Sequence, residues 1–201
     1  MSAPAFGLTY DYRCPFARNA HEHVLAALAA GAPWEVEFLP FSLSQAHVRE
    51  GGTAVWEDPT KAADLLAVEC SLVVRDEFPD LFPAVHLGLF AARHDKGRDL
   101  RDPEVIGDVL TGAGVDADRV RGVVDGGGPR KQFRAAHDAA VADQRVFGVP
   151  TFVLGNEAVF VRIMTRPGGD GGLARRTVER ILDLVADHGE LNEFKHTSIS
   201  N

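Results

Sequence analysis

The chain has 201 residues, 45% of them hydrophobic and 25% charged, which is the composition of an ordinary globular protein. Its 21 Lys and Arg against 29 Asp and Glu leave a formal charge of −8, so a phosphate backbone is repelled and nucleic acid is not an expected partner. A chain this long buries a core without covalent staples, and its 2 cysteines need not be a disulfide framework.

The amino end, MSAPAFGLTYDY, lacks a basic segment followed by a long apolar run, so no secretory leader is expected. No stretch approaches the roughly 18 uncharged apolar residues of a membrane span. The expectation is a cytoplasmic protein with no membrane partner, in a compartment that keeps thiols reduced.

Residues 5–11, AFGLTYD, alternate loosely and carry aromatics, which predicts a partly buried strand. A helix follows over ARNAHEHVLAALAA, where Ala17, Ala20, Val24 and Leu28 share a face, Pro15 suits the first helical position and Gly31 ends the run. Residues 34–41, WEVEFLPF, alternate again as a second strand, completing a βαβ unit with a parallel pair and a right-handed crossover. From 57 to 127 the pattern is helical: KAADLLAVECSLVVRDEF, LFPAVHLGLFAARHD and DPEVIGDVLTGAG are punctuated by Pro59, Pro79, Pro83, Pro103 and several glycines. VDGGGPRKQ reads as a turn before a further helix over 129–146. TFVL and EAVFV, joined by Gly155-Asn156, predict a hairpin, and LARRTVERILDLVADHG a last amphipathic helix. The tail ELNEFKHTSISN has no clear period.

Cys14 directly precedes Pro15. As N-cap of the first helix it receives the free N–H groups of the first turn and the positive end of the helix dipole. Both favour a thiolate, which lowers a cysteine pKa from about 8.5 toward the 3.5–7.5 range. The competing reading is a buried, inert cysteine. The third position of the turn is Ala17, which cannot attack a mixed disulfide, so an exchange begun by Cys14 needs a second thiol from elsewhere.

YDYRCPFA together with FGVPTFVLGNEAVFV resembles the DsbA-like thioredoxin-fold family. That family includes DsbA-type oxidoreductases, FrnE-like proteins, 2-hydroxychromene-2-carboxylate isomerases and kappa-class glutathione transferases. The resemblance covers nearly the whole chain and implies an α/β thioredoxin-like fold with a helical insertion. Residues 1–56 and 128–201 would form the thioredoxin-like domain, and 57–127 the inserted helical domain. It further implies that Cys14 is the nucleophile, that Pro150 is the cis-proline facing it, and that Pro15, Phe16, Ala17, Val149 and Thr151 frame the helix start and the substrate. The backbone of Val149 would pair edge-on with an extended substrate beside the sulfur. Dithiol members carry Cys-Pro-x-Cys, whereas this chain reads Cys14-Pro15-Phe16-Ala17. Isomerase and kappa-class relatives place a serine first, where this chain keeps Cys14.

Cys70, in LLAVECSLVV, reads as a core residue rather than a resolving partner. His21 and His23 lie two apart and share no face, the remaining histidines are scattered, and no metal site is implied. Arg13 and Arg18 flank the cysteine and read as solvated charges, with support of a thiolate or of a carboxylate-bearing thiol as the other reading. Asp11 reads as a strand-end residue rather than a proton-transfer acid. GGGP and PGGDGG lack the context of phosphate loops and read as turns. Phe6, Trp34, Phe38 and Phe41 are expected in the core, and so are Trp56, Phe78, Phe82 and Phe90, with a cleft lining as their alternative.

The expected activity is thiol–disulfide exchange by a single cysteine on a small-molecule thiol or disulfide. A low-molecular-weight thiol serves as co-substrate, and no cofactor is tightly bound. The rivals are a thiol-cofactor-dependent isomerase or transferase acting on an electrophile, and a non-catalytic binding module. The sequence leaves the oligomeric state open.

Overall fold

The computed structural model describes residues 4–193 and 195–196. Strand β1 (Ala5–Tyr10) is buried from Phe6 onward, on both faces. It is therefore a central strand rather than the half-covered one its loose alternation suggests, with Phe6, Leu8 and Tyr10 on one face and Gly7 and Thr9 on the other. It pairs in parallel with β2 (Glu35–Pro40) and antiparallel with β3 (Thr151–Leu154), which pairs with β4 (Glu157–Phe160). The sheet order is β2-β1-β3-β4. The β3–β4 turn takes its sharp bend at Gly155, whose φ of 60° suits a residue without a Cβ.

Helix α1 (Pro15–Ala29) makes the crossover from β1 to β2 and ends before Gly31 at a φ of 86°. Helix α8 (Gly171–Asp187) packs along α1 and against β3 and β4. The two helices meet closely. A Cβ added at Gly171 would lie 2.5 Å from Ala30 Cβ and 3.0 Å from the Ala26 carbonyl oxygen.

Between β2 and the long helix α7 (Gly128–Gln144) lie α2 (Leu43–Ala46), a 3₁₀ turn (Pro59–Lys61), α3 (Ala62–Glu77), α4 (Phe82–His94), α5 (Pro103–Gly112) and α6 (Ala117–Asp125). Helices α2 and α6 go beyond the sequence reading. Helix α6 buries only Val120, so its apolar pattern is faint, although the Asp116 carboxylate caps it by accepting from Asp118 N and Arg119 N. Helix α4 packs on α1 and α3, while α7 packs on β2, α3 and α6. The buried Glu69 carboxylate of α3 accepts from Arg130 Nε of α7 at 2.6 Å. Phe6, Trp34, Phe38, Phe41, Phe82 and Phe90 are all core, and Trp56 and Phe78 pack against it half-buried.

The histidines are less scattered than the sequence suggests. His21 Nε2–H donates to the Thr9 carbonyl at 3.2 Å, which leaves its Nδ1 to accept from His86 Nε2–H at 2.9 Å. His86 Nδ1 then accepts from the Tyr12 hydroxyl at 2.8 Å. Every member of this chain is neutral, buried and satisfied, and it ties β1, α1, the turn after β1, and α4 together. Burial pushes the His21 pKa down to about 3 and that of His86 well below the usual imidazole value.

Two expectations follow. An imidazole that is neutral in the fold but titrates near pH 6.5 when unfolded gives stability that is complete above that pH. That stability is lost as pH falls toward the folded value. Between pH 6.5 and pH 5 His21 alone should cost about 2 kcal/mol, read as a lower urea midpoint at pH 5 than at pH 7.5. At the α1–α8 contact, Gly171→Ala should destabilise the fold by about 1–3 kcal/mol through overpacking, measured by urea unfolding at neutral pH.

Candidate active site

Strand β1 ends at Tyr10, and a turn over Asp11, Tyr12 and Arg13 delivers Cys14 to the start of α1. Its amide closes the turn by donating to the Asp11 carbonyl at 3.0 Å. Cys14 is the N-cap, with extended backbone, and Pro15 fills the first helical position, where a missing N–H costs nothing. Ala17 N–H donates to Cys14 Sγ at 3.4 Å.

Opposite stands the start of β3. The Val149–Pro150 peptide is cis. Thr151 holds the segment in place: its N–H donates to Thr9 Oγ1 at 2.8 Å and its hydroxyl to the Gly148 carbonyl at 2.8 Å. Val161 N–H donates to the Pro150 carbonyl at 3.1 Å, continuing the hairpin. The Cys14 thiol donates to the Val149 carbonyl at 3.3 Å. Residues 135 apart in sequence thus meet at one sulfur. Phe16 lies beside them, half-buried, with the Arg162 guanidinium 5.4 Å from its ring centre.

The electrostatics differ from the sequence expectation. Burial raises the Cys14 pKa, and this outweighs the Ala17 and Phe16 amides that pull it down; the Asp11 carboxylate adds to the rise and Arg162 opposes it. Cys14 is only 9% exposed, and the resting species is a thiol rather than a helix-stabilised thiolate. Residue-by-residue reading of a helix start sees the amides and the dipole. It does not see the second segment that covers the sulfur from the other side.

Asp11 is a buried anchor. Its carboxylate accepts from Arg13 N at 2.9 Å, Arg13 Nε at 3.1 Å, Arg13 Nη2 at 2.7 Å and Leu43 N at 2.9 Å. Arg13 is thereby committed, with Nη1 donating to Ser44 Oγ at 2.5 Å. Arg18 is committed as well, pairing with Asp95 at 2.6 Å and lying 3.9 Å from Glu22. Arg166 closes a ring on the same two acids, at 2.7 Å from Glu22 and 3.3 Å from Asp95. Neither flanking arginine is the freely solvated charge expected from sequence. Cys70 sits in the core at 5% exposure, its thiol pushed up to about 12 by burial and the Glu69 carboxylate. Among the described residues both cysteines are free, and no three His, Cys, Asp or Glu side chains gather as a metal-holding group.

A cavity of about 740 Å³ opens on the insert side of this corner, lined by Tyr12, Arg13 and Pro15 together with residues of α3, the end of α4 and the loop after it. Sequence reasoning missed this wall. Arg93, His94, Arg98 and Arg101 come from about eighty residues downstream, and only the contact of α4 with α1 brings them to the cysteine's neighbours. His94 Nε2–H donates to the Tyr12 carbonyl at 2.9 Å and holds that approach in register. Among the described residues no helix is long and apolar enough to cross a membrane.

The fold is thioredoxin-like with a helical insertion, and its likeness to known proteins is extensive but distant in sequence. A DSBA-like thioredoxin domain model matches residues 8–165. No curated protein sequence matches the chain. The structure of 2-hydroxychromene-2-carboxylate isomerase superposes with a TM-score of 0.60 at 16% identity, covering 91% of this chain and 98% of that one. The cytosolic disulfide reductase DsbM from Pseudomonas aeruginosa, with GSH, superposes at 0.61 and 15% identity over 90% of this chain and 100% of its own. MdbA, a thiol-disulfide oxidoreductase from Actinomyces oris, superposes at 0.60 and 19% identity over 92% and 81%. These identities speak for the fold, whereas the family model runs from β1 past β4 and takes in both halves of the Cys14–Pro150 corner: the chain belongs to the DSBA-like thioredoxin domain family.

Proposed function

We propose that the protein is a cytoplasmic thiol–disulfide oxidoreductase with one active-site cysteine, Cys14, acting on a small thiol or disulfide. The observation that carries this reading is the place of the sulfur, 3.4 Å from the Ala17 amide and 3.3 Å from the Val149 carbonyl. An amide at the sulfur stabilises negative charge as the S–S bond of a substrate is attacked. Pro15 and Phe16 shape the helix start, and Val149, Pro150 and Thr151 form the opposing wall.

The exchange has two steps. Cys14 S–H and R–S–S–R give Cys14–S–S–R and R–SH, the cysteine proton leaving on the departing thiol. A second, external thiol R′–SH then attacks the mixed disulfide, restoring Cys14 S–H and releasing R–S–S–R′. Ala17 makes the external thiol necessary, because its fully buried methyl group stands where a resolving thiol would be.

A second reading has its own observation. The Cys14 thiol is a hydrogen-bond donor with a raised pKa, so it can keep its proton and donate to the sulfur of a bound thiol that does the chemistry. This is thiol-cofactor isomerisation or transfer, with Cys14 orienting rather than bonding.

Intact-mass measurement after mixing with bis(2-hydroxyethyl) disulfide separates the two. Exchange predicts one adduct, on Cys14, absent in Cys14→Ser and released by added thiol. No adduct on the native protein overturns the oxidoreductase reading. The raised thiol pKa also sets the pH dependence: alkylation of Cys14 by iodoacetamide should accelerate through a midpoint above that of an unperturbed cysteine. A midpoint near neutrality would contradict the resting thiol.

A further inference from the structure

Four arginines line the cavity beside Pro15, in a chain whose overall charge is −8. Most of that charge is already matched. Arg13 pairs with Asp11 at 2.7 Å, Arg101 with Asp99 at 2.6 Å and Arg98 with Asp108 at 2.8 Å. Asp64, the remaining acid in the wall, lies 4.0 Å from Lys61. Each acid of the cleft therefore has a cation of its own. Arg93 is left over: among the described residues it has neither an ion-pair nor a hydrogen-bond partner, and it is half-buried where α4 ends against the cavity.

A guanidinium that contacts no counter-ion is open to an anion, and its fork of N–H donors matches the two oxygens of a carboxylate. The space suits a small molecule, since ligand cavities run from about 300 to 1,000 Å³. The cleft does not reach the sulfur itself; it ends on Tyr12, Arg13 and Pro15, the residues on either side of Cys14. A ligand seated there presents its far end toward the active-site corner.

We propose that this cleft is an anion subsite that takes a carboxylate of the small thiol or disulfide substrate, with Arg93 as the residue that determines this specificity. The proposal rests on the exchange reading for the reacting end of the substrate, and it names the chemistry of the other end. Arg13 and Arg18, the cations nearest Cys14 in sequence, are occupied by Asp11 and by Asp95. The role passes to a residue on the insert.

The test compares two disulfides of the same skeleton on the full chain: 3,3′-dithiodipropionate, with two carboxylates, and its uncharged diamide. The read-out is the rate of adduct formation on Cys14, and the quantity is the dianion-to-diamide ratio. The native protein should favour the dianion, and 0.5 M sodium chloride should erode the preference. Arg93→Gln should lower the ratio about tenfold, the loss expected for a charge-assisted pair. Arg180→Gln, an exposed arginine of α8, should leave the ratio unchanged. A native ratio of one or below, or a ratio in Arg93→Gln equal to the native value, overturns the proposal.

A non-reacting probe keeps the two readings apart. The thioether 3,3′-thiodipropionate has no bond for Cys14 to attack, and its binding is measured by calorimetry. If Cys14 forms no adduct with either disulfide but the thioether binds the native protein several-fold more tightly than Arg93→Gln, the subsite stands and the oxidoreductase reading falls. If adducts form and neither ratio nor thioether binding responds to Arg93, the oxidoreductase reading stands and the subsite falls.

Discussion

The buried chain from the Tyr12 hydroxyl through His86 and His21 to the Thr9 carbonyl sets the geometry on which the cysteine depends. Its two ends sit on the same stretch of backbone, at Thr9 and Tyr12, while its middle belongs to α1 and α4. The path of the chain from β1 into α1 is thus pinned by directional hydrogen bonds. Each ring nitrogen has one role, fixed by the carbonyl at the end. Around the imidazoles the packing is aromatic, with Tyr10, Phe38, Phe82 and Phe90 against His86. In such a low-dielectric setting an unsatisfied polar atom is costly, so the directional chain is a strong constraint on how α4 can sit. A shift of α4 would strand three polar groups at once.

Elsewhere along α1 the insert is held by charge. Arg18 and Arg166 alternate with Glu22 and Asp95 in a ring that joins α1, the end of α4 and the segment after β4. Arg18 and Glu22 are each about 15% exposed, so the ring is screened less than an open surface pair, and the shared partners reduce the ordering cost per contact. Hydrogen bonds inside and charges outside attach α4 to the thioredoxin part at two separated places. The cavity lined by the end of α4 and the loop after it is consequently walled in part by an element anchored to the thioredoxin part.

The elements were largely legible in the sequence because their signals are local. Pro15 at a helix start, Gly31 at its end, Gly155-Asn156 between two β-rich runs and the spacing of apolar residues in α3, α4 and α8 each act within a few residues. Helix α6 escaped because it shows the core a single valine, and α2 because it is one turn long. The cysteine's position at the helix cap was legible for the same local reason, whereas its ionisation was not. That depends on the Val149 carbonyl and on burial by chain 135 residues away. The same limit hid Asp11's role, the histidine pair and Arg93: each becomes chemically defined only by a neighbour that sequence spacing does not reveal. Residue type indicates what a group can do, and long-range contacts decide which of those things it does.

The bonds at Cys14 carry a consequence for how such a site would switch on. In the resting geometry the sulfur both accepts from Ala17 N–H and donates to Val149 O, and the two bonds favour opposite protonation states. The amide favours the anion, while the carbonyl can be satisfied only by the thiol. A substrate that carries an N–H group and seats against the Val149 backbone takes that carbonyl for its own donor. The sulfur is then left with amide donors alone, and the bond that held its proton is gone. Losing that acceptor eases deprotonation against the burial that raises the thiol, and an empty site holds its single thiol protonated and slow to oxidise. A dithiol enzyme has a second sulfur to rescue an adventitious adduct. With a buried alanine in that place, keeping the lone thiol protonated until it is engaged is the safer arrangement, and burial of the sulfur, with the Val149 carbonyl as its acceptor, does that.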